Sequence, residues 1–372
     1  MIKIGITGQS GFLGTHLYNT LGLFPDEFTL IPFKDEFFLD DNNLVEFVTK
    51  CDTIVHLAAV NRHTDPSILY QTNLDLTNKL IAALEKSGTK PHLLISSSIH
   101  EDSNNIYGNS KKVARETLAN WASKNKAPFT GYLFPNIFGP FGNPFYNSFI
   151  ATFCHQLTHN EQPKILIDSQ VPLVYVDEVV KYIIQDIRHP KTEEKKQMPA
   201  SSNKNVTEIL SLLETYKKTY FLEAAIPPLN DHFEINLFNT IRSYIDIKSH
   251  NPVPLKQNTD NRGTFVETIK SGTGGQFSFS TTKPGITRGN HFHTRKIERF
   301  IVINGEAQIQ LRKIGTNEVL NFNLTGAEPS FVDMPIWYTH NITNTGTTDL
   351  YTLFWINEFY DPDDPDTFYS TV

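Results

Sequence analysis

The sequence predicts two domains of different class: an α/β doubly wound parallel sheet over residues 1–246, then an all-β barrel over residues 247–372. Three observations carry that reading. Apolar strands alternate with helical patterns from the start, as in a parallel sheet covered on both faces. A glycine loop, TGQSGFLG, follows the first strand directly. After about residue 246 helical patterns almost vanish, and alternating segments separated by turn residues replace them, as in an antiparallel barrel or sandwich.

Taken in order, IKIGIT (2–7) is a strand, and THLYNTLGLF continues from the glycine loop as a helix. FTLIPF (28–33), DTIVHLAA (52–59) and HLLISSS (92–98) are further strands. Between the last two, DPSILYQTNLDLTNKLIAALEKSG places apolar residues at helical spacing and ends on a glycine stop. The helix KKVARETLANWASKN and the strand FTGYLF complete another unit. PLKQNTDNRG, with Pro252 and Pro254 as punctuation, reads as a linker or entry arm. The barrel strands are QFSFSTT, RFIVING, EAQIQLRKI, VLNFNLT and LYTLFWINEF.

At 372 residues, 39% of them hydrophobic and 20% charged, the chain suits a soluble globular protein of two domains or three small ones. A formal net charge of −7 without a basic run argues against nucleic-acid binding. Two distant cysteines, Cys51 and Cys154, make no disulfide framework. The chain enters its first strand at once and has no apolar stretch of bilayer length, so a cytoplasmic location is expected.

Gly8, Gly11 and Gly14 sit where a strand turns into a helix. There they permit a tight turn and close approach of backbone to a pyrophosphate, with Phe12 and Leu13 completing the cradle. At the end of the second strand a basic residue favours the 2′-phosphate of NADP and an acidic one the ribose hydroxyl of NAD. Lys34 comes first and favours NADP; Asp35, beside it, keeps NAD open. YGNSK puts Tyr107 and Lys111 one helical turn apart. A tyrosine whose pKa is lowered by a nearby ammonium can protonate the alkoxide formed when a ketone receives hydride. The strand before it ends in Ser96, Ser97 and Ser98, any of which offers a hydroxyl to hold that carbonyl.

With these residues, positions 1–245 resemble the extended short-chain dehydrogenase/reductase family, whose fold is of Rossmann type. HLAAV (56–60) is similar to the floor beneath the cofactor, which implies contacts from Leu57, Ala58 and Ala59. LDD (39–41) resembles the adenine contact, implying Asp40, and PNIFGP (135–140) resembles the segment that follows the active-site helix, implying a substrate contact from Asn136. VYVDEVV, near residue 177, resembles a further substrate-side motif. By position the resemblance selects Ser98 as the catalytic serine beside Tyr107 and Lys111. Phe134 departs from the pattern, standing where many relatives have arginine.

In the second domain GNHFHTRKIERFIVING places His291 and His293 on one side of a strand, followed by Glu298, and PIWYTHNITN adds His340. Three imidazoles and a carboxylate suit a catalytic divalent metal with an open position. The spacing resembles the cupin family, a jelly-roll barrel, over about residues 265–360; Trp337 occupies its usual glycine position, a change expected to crowd or reshape the pocket. DNRGTFVE and PGITRGNHFH also resemble the 4-keto-6-deoxyhexose epimerases of the cupin fold. That resemblance makes His291 a base and has Arg262, Glu267 and Arg288 hold a nucleotide diphosphate. A nitrogen whose lone pair is on a metal cannot accept a proton. If His291 is a ligand, Tyr338 or a hydroxide on the metal becomes the base.

Reductase first and cupin second, the chain resembles a family of bifunctional capsular polysaccharide enzymes. The resemblance implies NADPH, zinc, a homodimer and a UDP-linked 2-acetamido-2,6-dideoxy-4-hexulose. In it the cupin inverts carbon 3 and the reductase reduces carbon 4 toward UDP-N-acetyl-L-fucosamine. A reductase with a structural cupin, a non-catalytic NADP-binding sensor and an oxidative cupin remain alternatives.

Overall fold

The computed structural model describes residues 1–103 and 105–372 and divides into two compact units, residues 1–152 with 165–206, and residues 153–164 with 207–372.

In the first unit β1 (Ile2–Thr7), β2 (Phe28–Ile31), β3 (Thr53–His56), β4 (His92–Ser98), β5 (Phe129–Phe134) and β8 (Glu193–Gln197) form a parallel sheet in the order β2-β1-β3-β4-β5-β8. β6 (Asn136–Phe138), β7 (Gln170–Tyr175) and β9 (Ser202–Asn205) form a second, three-stranded sheet. One face of the large sheet is covered by α2 (Asp41–Thr49), α3 (Pro66–Ser87) and α4 (Ile106–Asn125), through Phe47, Leu80 and Leu118. The other face is covered by α1 (Phe12–Leu21) and α6 (Val176–Arg188), through Leu17 and Ile183. The sheet is therefore doubly wound. It reverses between β2 and β3 on either side of β1, the point where such sheets open a crevice. Local signals set α3. Asp65 accepts from Ser67 N at 2.8 Å, Pro66 opens the helix, and Gly88 closes it at φ 69°.

The second unit holds two facing five-stranded sheets. One has the order β10-β18-β15-β20-β13, from β10 (Val253–Pro254), β13 (Gln276–Thr282), β15 (Glu298–Asn304), β18 (Ser330–Met334) and β20 (Leu350–Ile356). The other has the order β17-β16-β19-β14-β21, from β14 (Thr287–Phe292), β16 (Glu306–Lys313), β17 (Val319–Thr325), β19 (Tyr338–Asn344) and β21 (Phe368–Tyr369). Val302 and Val332 of the first meet Ile309, Leu311 and Phe322 of the second in one core. The stretch read as a linker is instead a separate exposed hairpin, β11 (Gln257–Asp260) with β12 (Gly263–Val266), because its residues pair with each other.

The boundary drawn at 246/247 does not coincide with the division into units. α8 (His232–Arg242) and a π-helical turn, Lys217–Leu222, dock on the barrel wall through buried polar contacts. Arg299 grips Asp333 with two bonds of 2.7 and 2.8 Å, and Tyr220 Oη donates to the same carboxylate at 2.6 Å. Arg242 donates to Met334 O and Asn239 to Arg295 O. Among the described residues, no helix is long and apolar enough to cross a membrane.

Breaking this pair from one side strands a guanidinium in the interior. Asp333→Ala is expected to lower stability by about 3–5 kcal/mol, read as a fall in the denaturant midpoint. Replacing Arg299 and Asp333 together by apolar residues should cost less than Asp333→Ala alone.

Candidate functional site

A cleft of about 1120 Å³ in the first unit is lined by the glycine loop (Gly8, Gly11, Phe12, Leu13) and by Leu57, Ala58 and Ala59. Gly8 has φ 72°, and a Cβ there would come within 2.7 Å of Ala58 N, so the loop lies directly on the HLAAV segment. Gly11 begins α1 without a side-chain cap, which leaves the helix's first N–H groups for an anion. The lining fits a dinucleotide.

The residues at the end of β2 differ from those foreseen. Asp35, Glu36, Phe38 and Leu39 line the cleft, whereas Lys34 and Asp40 do not. Asp40 spends its carboxylate capping α2, accepting from Asn42 N at 2.9 Å and Asn43 Nδ2 at 3.0 Å. The cleft's cation at this end is Lys79 of α3, whose Nζ donates to Phe38 O at 2.9 Å. Its signal was present in the sequence, since Thr72, Asp75, Leu76 and Lys79 share one helical face and all line the cleft. Asp35 accepts from Ser10 Oγ at 3.2 Å, beside the loop.

Ser98, Tyr107, Lys111 and Asn136 all reach the same cleft. β4 separates the three serines. Ser97 donates to buried Glu101 at 2.7 Å, and Arg115 pairs with that carboxylate at 2.8 Å. On the opposite face Lys111 Nζ donates to Ser96 Oγ at 3.3 Å. Ser98 Oγ accepts from His100 N at 3.2 Å, which leaves its own hydrogen for a substrate carbonyl. The lowered tyrosine pKa foreseen from the sequence is not what burial produces. Burial first, then Tyr146, pushes Tyr107 up to about 12. Burial alone brings Lys111 down to about 8. Asn136 Nδ2 donates to Pro172 O, and the ring of Phe134 stacks on Tyr132 at 5.0 Å.

In the barrel one ligand atom from each of His291, His293, Glu298 and His340 falls within 4.8 Å of the others. A bulge arranges this. Gly289 (φ 98°) and Asn290 (φ 59°) shift the register of β14, so His291 lies directly opposite His340 of β19. A Cβ on Gly289 would meet His340 O at 2.8 Å. Glu298 arrives from β15 in the facing sheet. His293 Nε2 and His340 Nε2 stand 3.1 and 3.3 Å from Glu298 Oε2, yet all three atoms are buried without a hydrogen-bond partner among the described residues. The opposite ring nitrogens are engaged, His293 Nδ1 with Asp366 O and His340 Nδ1 with Tyr338 O, so both Nε2 lone pairs face the shared point. Burial, then the other two imidazoles, lowers His291 to about 4. Burial favours the protonated form of Glu298, but His293 and His340 outweigh it and hold the carboxyl well below its usual range. The donor set fits a divalent metal.

Trp337 does not crowd this centre. It takes the glycine-like φ of 62°, and its ring stacks on Phe292 at 5.6 Å, on the side of β14 away from the histidines. Tyr338 shares its strand face with His340 and packs against the barrel core; burial, then Glu318, pushes its pKa up to about 12. The three residues expected to hold a diphosphate are dispersed. Arg262 pairs with Asp260 at 2.6 Å on the exposed hairpin, and Glu267 with Lys270 at 2.9 Å. Arg288 donates to Thr282 Oγ1 and Thr281 O on β13.

Residues 4–198 match the NAD dependent epimerase/dehydratase family, and residues 258–368 match the polysaccharide biosynthesis C-terminal domain. The UDP-2-acetamido-2,6-beta-L-arabino-hexul-4-ose reductase of Pseudomonas aeruginosa is 33% identical over 100% of this chain and 99% of its own. The capsular polysaccharide assembling protein CapF of Staphylococcus aureus is 34% identical, with a TM-score of 0.64 over 100% of both chains. A Pseudomonas aeruginosa protein, RMD, solved with NADPH, shares the fold at 21% identity and a TM-score of 0.53, covering 59% of this chain and 83% of that one.

Lys111 gives this site a pH signature. Its amine ionises near 10.5 as a free side chain and at about 8 in the fold, so between those values the unfolded chain binds more protons and stability rises with pH. Below pH 8 the cost of the buried charge is complete. Lys111→Met is therefore expected to be more stable than the wild type at pH 7, with the gap narrowing toward pH 10.5, as read from denaturant midpoints across that range.

Proposed function

The chain belongs to the NAD dependent epimerase/dehydratase family, and from that premise we propose a bifunctional nucleotide-sugar enzyme of capsular polysaccharide precursor synthesis. Its barrel epimerises carbon 3 of a UDP-2-acetamido-2,6-dideoxy-4-hexulose, and its α/β unit reduces the 4-keto group, toward UDP-N-acetyl-L-fucosamine. The observation that carries this reading is four ligand atoms within 4.8 Å of one another, three of them on buried residues and the fourth on half-buried His291, in a chain alignable end to end with a 4-ulose reductase.

In the reductase half the glycine loop and the first turn of α1 hold the cofactor's pyrophosphate, with NADPH the proposed donor and Lys79 the partner for its 2′-phosphate. When bound, the nicotinamide supplies a hydride for carbon 4. Tyr107 keeps its phenolic proton at neutral pH, as a proton donor to the carbon-4 oxygen requires. Ser98 Oγ donates its uncommitted hydrogen to the same oxygen and orients the ketone. Lys111, held by Ser96, places positive charge in the cleft beside the developing alkoxide.

In the epimerase half His291, His293, Glu298 and His340 hold the metal, with zinc proposed from the donor set. When bound, a divalent ion supplies positive charge that acidifies the carbon beside the ketone. Tyr338 is the proposed proton carrier for carbon 3, taking the proton as phenolate and returning one as phenol; burial and Glu318 hold its pKa at about 12, and the charge of a bound divalent ion would lower it. A cytoplasmic homodimer is part of the proposal; the exposed Phe277 and Phe279 on edge strand β13 support self-association.

Incubating the full chain with the UDP-linked 4-keto sugar in heavy water, without NADPH, is expected to place deuterium at carbon 3, read by NMR. Tyr338→Phe should slow that exchange roughly 10²–10⁴-fold, and Glu298→Ala should abolish it. NADPH oxidation with no exchange would leave a reductase with a structural barrel. For the cofactor, Lys79→Ala is expected to raise KM for NADPH relative to NADH roughly tenfold, while Lys34→Ala leaves the ratio unchanged. Steady-state kinetics with both cofactors decide it.

A further inference from the structure

Residues 358–372 run along the strand and loop that carry two of the four ligands, and Asp366 is the point of attachment. Its backbone carbonyl accepts from His293 Nδ1. Its carboxylate spans the loop just after that histidine: Oδ1 accepts from Thr294 N at 3.0 Å and Thr294 Oγ1 at 2.6 Å, and Oδ2 from Arg295 N and Lys296 N at 3.0 Å each. Asp366 is buried, with φ 39°, a left-handed conformation that aspartate tolerates better than most side chains.

The attachment is reinforced on both sides. Lys296 Nζ donates to Pro365 O at 2.6 Å, and Arg295 pairs with Glu358 and Asp364. Three residues on, β21 pairs with β14 so that Tyr369 lies opposite His291 and Phe368 opposite Phe292. Ser370 N then donates to Asn290 O in the bulge that aligns His291 with His340. One short segment therefore fixes the ring orientation and tautomer of His293 and the backbone of His291.

We infer that Asp366 is a positioning residue of the metal centre and that docking of residues 358–372 and metal binding reinforce each other. The inference rests on the reading that the quartet holds a divalent metal. A partner that orients a ligating imidazole typically contributes 10–100-fold in metal affinity. Binding linkage is reciprocal, so the factor by which the docked segment tightens the metal is the factor by which the metal tightens the docked segment.

The test uses the full-length protein stripped of metal and titrated with zinc against a chromophoric chelator. Wild type should bind stoichiometrically. Asp366→Asn, which turns one pair of acceptor positions into donors facing Arg295 N and Lys296 N, should bind roughly 10–100-fold more weakly, with the apoprotein's denaturant midpoint as the control for folding. A second readout needs no variant: chymotryptic cleavage at the exposed Tyr360 and Tyr369 of wild type should slow by a similar factor when zinc is added. Equal zinc affinity in the folded Asp366→Asn protein and wild type, or cleavage indifferent to zinc, overturns the inference while leaving the metal reading intact. Wild type that takes up no zinc overturns both.

Discussion

Everything in the barrel unit hangs on two adjacent residues of one strand pointing opposite ways. Glu298 and Arg299 are both charged and both buried, and the two-residue period of β15 sends one into the barrel and the other out through its wall. Inside, Glu298 meets His293 and His340. Outside, Arg299 meets Asp333, which Tyr220 also grips. A slip of one residue would put a guanidinium among the histidines and a carboxylate against Asp333. The register that pairs Glu298 with Met334 and with Ile356 is thus fixed from both faces. A buried ion pair adds little net stability over an apolar substitute, but it penalises the wrong register severely. That penalty is what a site built from facing sheets requires.

The α/β unit solves its own positioning problem by the same means. In β4, Ser96 and Ser98 share a face and serve the cleft, while Ser97 on the other face donates to Glu101, itself paired with Arg115. The anchor lies one residue away from the hydroxyls that face the cleft. In both units, the polar groups that face the cleft or the histidine cluster and the buried charges that anchor the strand occupy alternate positions of one strand. The strand's pleat, rather than a loop, sets their orientation.

Much of this was legible in the sequence, and the reasons for the misses are specific. HLLISSS and FTGYLF form the strands foreseen, because an apolar run bounded by turn residues leaves few alternatives. The clustering of His291 and His293 with Glu298 was legible because strand alternation and a short return loop bring HxH and Glu298 together without knowledge of the rest of the fold. Lys34 and Asp40 were misplaced because the 3₁₀ turn at residues 35–39 displaces the register after β2; the chain presents Asp35 and Leu39 to the cleft and turns Asp40 into a helix cap. Arg262 and Glu267 were misplaced because a motif gives no sign that its segment pairs with itself. Tyr107 and Lys111 were found, but not their ionisation, since burial depends on which walls close over them. Asp366 gave no signal: its role depends on a contact 73 residues distant along the chain.

Both proposed reactions require the same ketone, and that imposes an order on them. Removing the proton at carbon 3 depends on the carbon-4 carbonyl to accept the charge, and reduction destroys that carbonyl. Epimerisation must therefore come first, and interconversion of two diastereomers is close to thermoneutral, so the barrel alone delivers a mixture. Selection of one epimer falls to the reductase cleft. Each tenfold of preference requires about 1.4 kcal/mol of difference between the two transition states. In the proposed mechanism Tyr107 and Ser98 both address the carbon-4 oxygen, which the two epimers share, and so cannot supply that difference. That difference must come from the rest of the cleft lining, which includes Asn136, its amide tied to Pro172 O. On the proposed order of reactions, stereochemical choice lies with the reductase cleft, downstream of a barrel that need not choose.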